Sequence, residues 1–212
     1  GVKALRAAGV FVVVSAGNSN DRANAYSPAS CSGVITVGAT QRQGFKAHYG
    51  NYGSTVEISA PGGGRNYPSN TPEGVWSTLN SGVDSPVSGS GYNYVRYQGT
   101  SMAAPHISGI ASLMLSVNPA LTPSQVLATL QSTARAFPTN GAATCNTAPV
   151  RPPSAQWFSC RCTNSLCGAG IVDARAAVAA AYLAANGVPG NGTVAVNPFG
   201  SLLVTGATLM GN

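Results

Sequence analysis

The sequence predicts an α/β fold: a doubly wound, mostly parallel sheet with a buried central helix, incomplete in this chain. Three observations carry this. Residues 1–9 read as the end of a helix stopped by Gly9, and they run straight into a continuous β-branched stretch at 10–15. Helix end, glycine and buried strand form the repeating unit of doubly wound sheets. Short strand-like segments punctuated by glycine follow. At Ser101 the hydrophobic period then changes, and residues 101–117 leave almost no polar stripe, the pattern of a helix buried on nearly all sides.

Taken in order, residues 10–14 suit a strand covered on both faces. Residues 34–37 and 55–59 read as further short strands, broken by Gly38, Gly50, Gly53 and the Pro61-Gly62 pair. Residues 75–79 and 92–97 read as an antiparallel pair joined by a Ser/Gly-rich loop. In the helix that follows, Pro105 is tolerated only in the first turn, which fixes the start near Ser101. Asn118-Pro119 stops it. Thr122 caps a further amphipathic helix with Pro123 at its first position, and Asp173 caps an alanine-rich helix through about Ala185. The domain boundary is placed there, with 186–212 a Gly/Asn-rich extension or linker holding two weak strand-like pieces at 194–196 and 202–204.

Composition narrows the function classes. Eleven basic and five acidic residues among 212, with 44% hydrophobic content, describe a chain that folds rather than one that stays disordered. No apolar run approaches the ~18 residues of a membrane span, so no membrane is expected as partner. The net charge of +6 comes from cations scattered between Lys3 and Arg175. Nucleic-acid binding concentrates its cations on one face, so no nucleic acid is expected either.

Four of the five cysteines (145, 160, 162 and 167) crowd around the prolines at 149, 152 and 153. Zinc is disfavoured by the spacing Cys160-x-Cys162-x4-Cys167 and by the absence of a nearby histidine. A disulfide-stapled loop in an exported protein fits better. Three connectivities are open; Cys145–Cys160 with Cys162–Cys167 is preferred, and a ring across Cys160-x-Cys162 would be strained. Cys31 is left as a free buried thiol or the partner of a cysteine outside the chain.

The segment Gly99-Thr100-Ser101-Met102-Ala103-Ala104-Pro105-His106 is the most informative. A serine in the first turn of a buried helix sits among unpaired N–H groups at the positive end of the helix dipole, where developing negative charge is favoured. A nucleophile whose attack creates an oxyanion needs that environment. Helix-capping serines are far commoner, and alone the segment reads as a cap. Ser15-Ala16-Gly17-Asn18 changes the balance, because it leaves a buried strand at the carboxyl edge of the sheet, where open α/β sheets place their sites. An asparagine amide there can donate to an oxyanion.

In this order, with Tyr26-Ser27-Pro28-Ala29-Ser30, Ile35-Thr36-Val37-Gly38-Ala39, Tyr49-Gly50-Asn51-Tyr52-Gly53 and Ile58-Ser59-Ala60-Pro61-Gly62 between them, the segments resemble the C-terminal half of the subtilisin-like serine peptidases over about residues 1–185. The cysteine-bearing loop resembles the secreted bacterial branch. The resemblance implies a serine endopeptidase, secreted and extracellular, acting on polypeptide substrates through an acyl-enzyme on Ser101. It makes the Asn18 side chain and the Ser101 N–H oxyanion donors, and Ser15, Ala16 and Gly17 one wall of the pocket for the residue before the scissile bond. It also implies structural calcium held by Glu57 with the backbone carbonyls of Ser32 and Val34. One carboxylate is thin support for an ion that takes six to eight oxygens, and a solvent-facing strand residue is an equal reading of Glu57.

A serine needs a base, and the family order is Asp, His, then Ser. No His-Gly-Thr-His or Asp-Thr-Gly segment occurs. His106 lies on the serine's own helix, well round from Ser101, and His48 lies in an exposed turn. The expected partner is therefore an N-terminal portion of the same catalytic domain that supplies Asp and His. The competing reading is an inactive, peptide-binding fragment of the same fold. An α/β-hydrolase is set aside because its G-x-S-x-G is absent, and Gly62-Gly63-Gly64 lacks the spacing of a nucleotide loop.

Overall fold

A computed structural model describes residues 1–69, 71–145, 159–187, 193–196 and 202–205. Helix α1 (Val2–Ala7) leads into β1 (Val13–Ser15), followed by β2 (Ile35–Thr40) and β3 (Ile58–Pro61). The three strands form a parallel sheet in the order β1-β2-β3, with Val13 opposite Ile35 and Val37 opposite Ile58. A two-residue pair, β4 (Gly64–Arg65) and β5 (Pro72–Glu73), precedes the antiparallel ribbon of β6 (Val75–Asn80) and β7 (Tyr92–Tyr97). Helices α2 (Thr100–Val117), α3 (Pro123–Ser132), α4 (Asn164–Cys167) and α5 (Ala174–Asn186) follow, then an antiparallel pair, β8 (Thr193–Val196) and β9 (Leu202–Thr205).

The core lies between the sheet and α2. Ile35, Val37, Ile58 and Ala60 meet Ala103, Ile107, Ile110 and Met114, and Val126, Leu130, Ala177 and Ala181 close the cluster from α3 and α5. The expected caps form: Thr122 and Gln125 make a reciprocal capping box, and Asp173 Oδ1 accepts the Ala176 N–H at 3.0 Å. Disulfides join Cys145 to Cys160 and Cys162 to Cys167, while Cys31 is a free, half-buried thiol. The stapled segment is stitched to the sheet, because Lys46 N–H donates to Cys160 O and Ser59 Oγ donates to Cys167 O. The proline-rich stretch at 149–153 lies outside the described residues.

Several expectations are corrected. Strand β1 occupies only 13–15 and is half-buried, because it is the edge of the described sheet and has β2 on one side only. The strand expected at 55–59 runs instead from Ile58 to Pro61. Helix α2 is buried along one stripe (Ala103, Ile107, Ile110, Ala111, Met114), and its other face, with Ser108, Ser112 and Leu113, is exposed. The helix starts at Thr100, one residue before Ser101, so Pro105 is its sixth residue and lies in the second turn rather than the first. The missing N–H falls on the carbonyl of Ser101, so the helix loses one bond rather than its start. His48 is half-buried, packed edge-on against Tyr49 with ring centroids 5.1 Å apart. Among the described residues no helix is long and apolar enough to cross a membrane.

Candidate active site

Two segments distant in sequence meet at the carboxyl end of the sheet. Residues 15–18 leave β1, and Ala16 is locked by its N–H on Val37 O at 3.0 Å. Residues 99–101 leave the ribbon and open α2; Gly99 is its N-terminal cap residue, and Gly99 N–H donates to Gly62 O at 2.8 Å. Thr100, fully buried, joins the two segments. Its hydroxyl accepts from Gly17 N–H at 3.1 Å and donates to Asn18 Oδ1 at 2.9 Å, and its own N–H donates to the same oxygen at 2.9 Å.

This arrangement fixes the Asn18 amide. With Oδ1 taken twice, Nδ2 is the end left for a ligand, and it stands 3.5 Å from where a β-carbon on Gly99 would be. Ser101 is exposed one residue further on, in the first turn of α2. The neighbouring first-turn amides are engaged, Thr100 by Asn18 and both Met102 and Ala103 by Gly99 O. Among the described residues the Ser101 N–H has no acceptor. Exposed Asn18, tied to Thr100, and exposed Ser101, next in sequence, therefore share one corner at a helix N-terminus, where developing negative charge is favoured.

The residues expected to wall a substrate pocket fall beside it: Ser15 and Gly17 half-buried, Ala16 fully buried. Gly17 has φ +104°, and a β-carbon there would collide with the Asn51 side-chain amide. Asn51 is a functional neighbour that motif reading leaves without a role. Buried, it donates from Nδ2 to Ala16 O at 3.0 Å, while its Oδ1 accepts from Ser19 N–H at 2.8 Å and Asp21 N–H at 3.1 Å. Three bonds thus hold the loop that presents Asn18. Tyr49 does the same for the other segment, its hydroxyl donating toward Gly62 O and Gly63 O at 2.7 and 2.8 Å. Burial pushes the Tyr49 phenol up, so it stays a neutral donor.

Lys46 stands behind this loop. Its Nζ donates to Asn20 Oδ1 at 2.8 Å and Ala47 O at 3.2 Å, and burial pulls its ammonium down to about 7. His48 is lowered by burial, then by the charges of Arg65 and Lys46. His106 Nδ1–H donates to Met102 O at 2.8 Å within α2, which makes it a structural residue.

Each acid of the chain is placed elsewhere. Asp21 receives the Arg22 N–H and the Tyr26 hydroxyl, and Asp173 caps α5. Glu57 receives Gln131, Glu73 lies 3.8 Å from Arg42, and Asp84 is exposed in the ribbon loop. Among the described residues no group of three or more His, Cys, Asp or Glu could hold a metal ion.

Comparison with known proteins shows the family. The model of the Subtilase family matches residues 2–172. An extracellular protease of Xanthomonas campestris is 42% identical over 174 residues, 82% of this chain and 24% of that protein. An extracellular basic protease of Dichelobacter nodosus is 37% identical over 174 residues, 80% of this chain and 23% of its own. The chain thus spans about a quarter of the length of these relatives. A solved protease structure from Pseudoalteromonas arctica superposes with a TM-score of 0.67 at 42% identity, covering 85% of this chain and 45% of that one. On the family match, the sequence identity and the site geometry together, the chain belongs to the subtilase family.

Proposed function

We propose that the chain is the nucleophile-bearing part of a secreted serine endopeptidase whose catalytic Asp and His come from an N-terminal portion of the same domain. The observation that carries the reading is the double engagement of Asn18 Oδ1 by Thr100, which leaves the amide N–H end as the one available to a ligand at the start of α2. In this reading the Ser101 hydroxyl adds to a peptide carbonyl and passes its proton to the histidine of the companion portion. The oxyanion is received by Asn18 Nδ2–H and the Ser101 N–H. Collapse of the adduct expels the amine, which takes that proton, and leaves an ester on Ser101. Water then adds to the ester, giving the acid product and restoring the hydroxyl. Extracellular location is supported by the disulfide-stapled loop and by relatives whose names say extracellular.

One observation favours a second reading, a peptide-binding module without catalysis: among the described residues, the carboxylates of Asp21, Asp173, Glu57 and Glu73 are each taken up by other partners. Hydrolysis of a peptide amide by the protein carrying its N-terminal portion separates the two. The first reading expects turnover that Ser101→Ala abolishes. Peptide binding without turnover supports the second.

A further inference from the structure

The corner where the family resemblance implies calcium is filled in another way. A cavity of about 310 Å³ is lined by Gly33, Val34 and Glu57, and Arg6 of α1 lines it too, with Phe11 and Leu127. Gly33 lies between Ser32 and Val34, the two residues whose carbonyls a calcium ion would need. It has φ +80°, and the Arg6 guanidinium packs so closely on it that a β-carbon there would collide with the Arg6 Nη1 and Cζ. A fixed positive charge therefore already stands at the carbonyl-bearing turn. It is reachable from α1 because Arg6 occupies the last turn of that helix, where a cation is favoured.

Glu57 is held from the opposite side. Gln131 of α3 donates from Nε2 to Glu57 Oε2 at 2.9 Å and to Glu57 O at 3.2 Å, and Ala169 N–H donates to that same carbonyl at 3.0 Å. Gly168 packs directly on the Glu57 backbone. Glu57 thus fastens α3 and the stapled segment to the start of β3. Calcium demands six to eight oxygens at one point. A single carboxylate bonded to an amide, facing a turn covered by a guanidinium, supplies neither the oxygen count nor the net negative field.

We propose that Arg6 is the resident cation of this corner and that Glu57 acts through Gln131 rather than through a metal, so that no calcium binds at Glu57, Ser32 and Val34. A guanidinium keeps its charge at any working pH and offers several donors. The corner is therefore indifferent to calcium supply, whatever other sites the full protein holds.

The test uses the full protein, N-terminal portion included. Bound calcium is counted by atomic absorption after dialysis against calcium, in the wild type and in Glu57→Gln. Thermal melting of wild type, Glu57→Gln and Arg6→Ala is followed in calcium and in chelator. The proposal expects equal calcium equivalents in wild type and Glu57→Gln, and a melting deficit for Glu57→Gln that is the same in both buffers. It expects Arg6→Ala, a substitution at an exposed helical position, to lower the melting point by about 2–4 °C in both buffers. Loss of one calcium equivalent in Glu57→Gln overturns the proposal. Melting of Arg6→Ala at the wild-type temperature in both buffers overturns the role given to Arg6.

Discussion

The Thr100 hydroxyl donates to Asn18 Oδ1 at 2.9 Å across 82 residues of sequence. The same hydroxyl accepts from Gly17 N–H, so one buried oxygen sets both the orientation of the Asn18 amide and the course of the loop that carries it. A carboxamide rotates easily, and its two ends have opposite polarity. The Thr100 hydroxyl and N–H together hold Asn18 Oδ1 and so leave the N–H end of the amide as the free one.

Thr100→Val keeps the shape and removes the hydroxyl. The Thr100 N–H bond to Asn18 remains, so the loss is partial: kcat for an amide substrate falls about 10-fold, KM moves little, and Thr100→Ser restores most of the rate. Steady-state kinetics on the protein with its N-terminal portion measures this.

Asn18→Leu deletes the outward donor itself. The expected fall in kcat is about 10²–10³, the range found for removing one such donor in serine peptidases of this family. A loss carried by KM instead of kcat would show that Asn18 only binds substrate.

Asn51→Leu leaves the Ser19 and Asp21 N–H groups and the Ala16 carbonyl without their partner. The site is buried, so destabilisation of about 2–4 kcal/mol is expected from orphaned backbone groups. Denaturant unfolding reads it, and the variant should lose amide turnover in parallel as the Asn18 loop relaxes.

Lys46 gives the protein a pH dependence of known sign. Its folded ammonium titrates near 7, against 10.5 when unfolded. Between those values the unfolded chain binds a proton that the folded one does not, so stability rises with pH across that window, by at most about 1.4 kcal/mol per pH unit. Below 7 both states are charged and this contribution is flat. Urea midpoints at pH 7, 8.5 and 10 measure the slope, and Lys46→Met should remove it. A slope unchanged by Lys46→Met would assign the dependence to other groups.

What could be read from the sequence was what depends on neighbours in sequence. Thr122 with Gln125, Asp173 with Ala176 and the ribbon of 75–79 with 92–97 each follow from spacing and capping chemistry within a few residues or one hairpin. Ser101 at a helix start and Asn18 after a strand were legible for the same reason. Asn51 and Tyr49 were not, because their partners lie at Ala16 and Gly62, and no local pattern announces a bond across that span. The hydrophobicity of β1 and α2 predicted complete burial. The described chain covers one side of each, and a run of apolar residues carries no information about which element supplies the cover.

The central claim is that Ser101 is a nucleophile activated by the folded site. Reaction of the native protein, with its N-terminal portion, with a fluorophosphonate followed by peptide mass spectrometry tests it most directly. One phosphonyl group on Ser101, lost on denaturation before labelling, is the expected result. An unlabelled Ser101 in folded protein would contradict the claim.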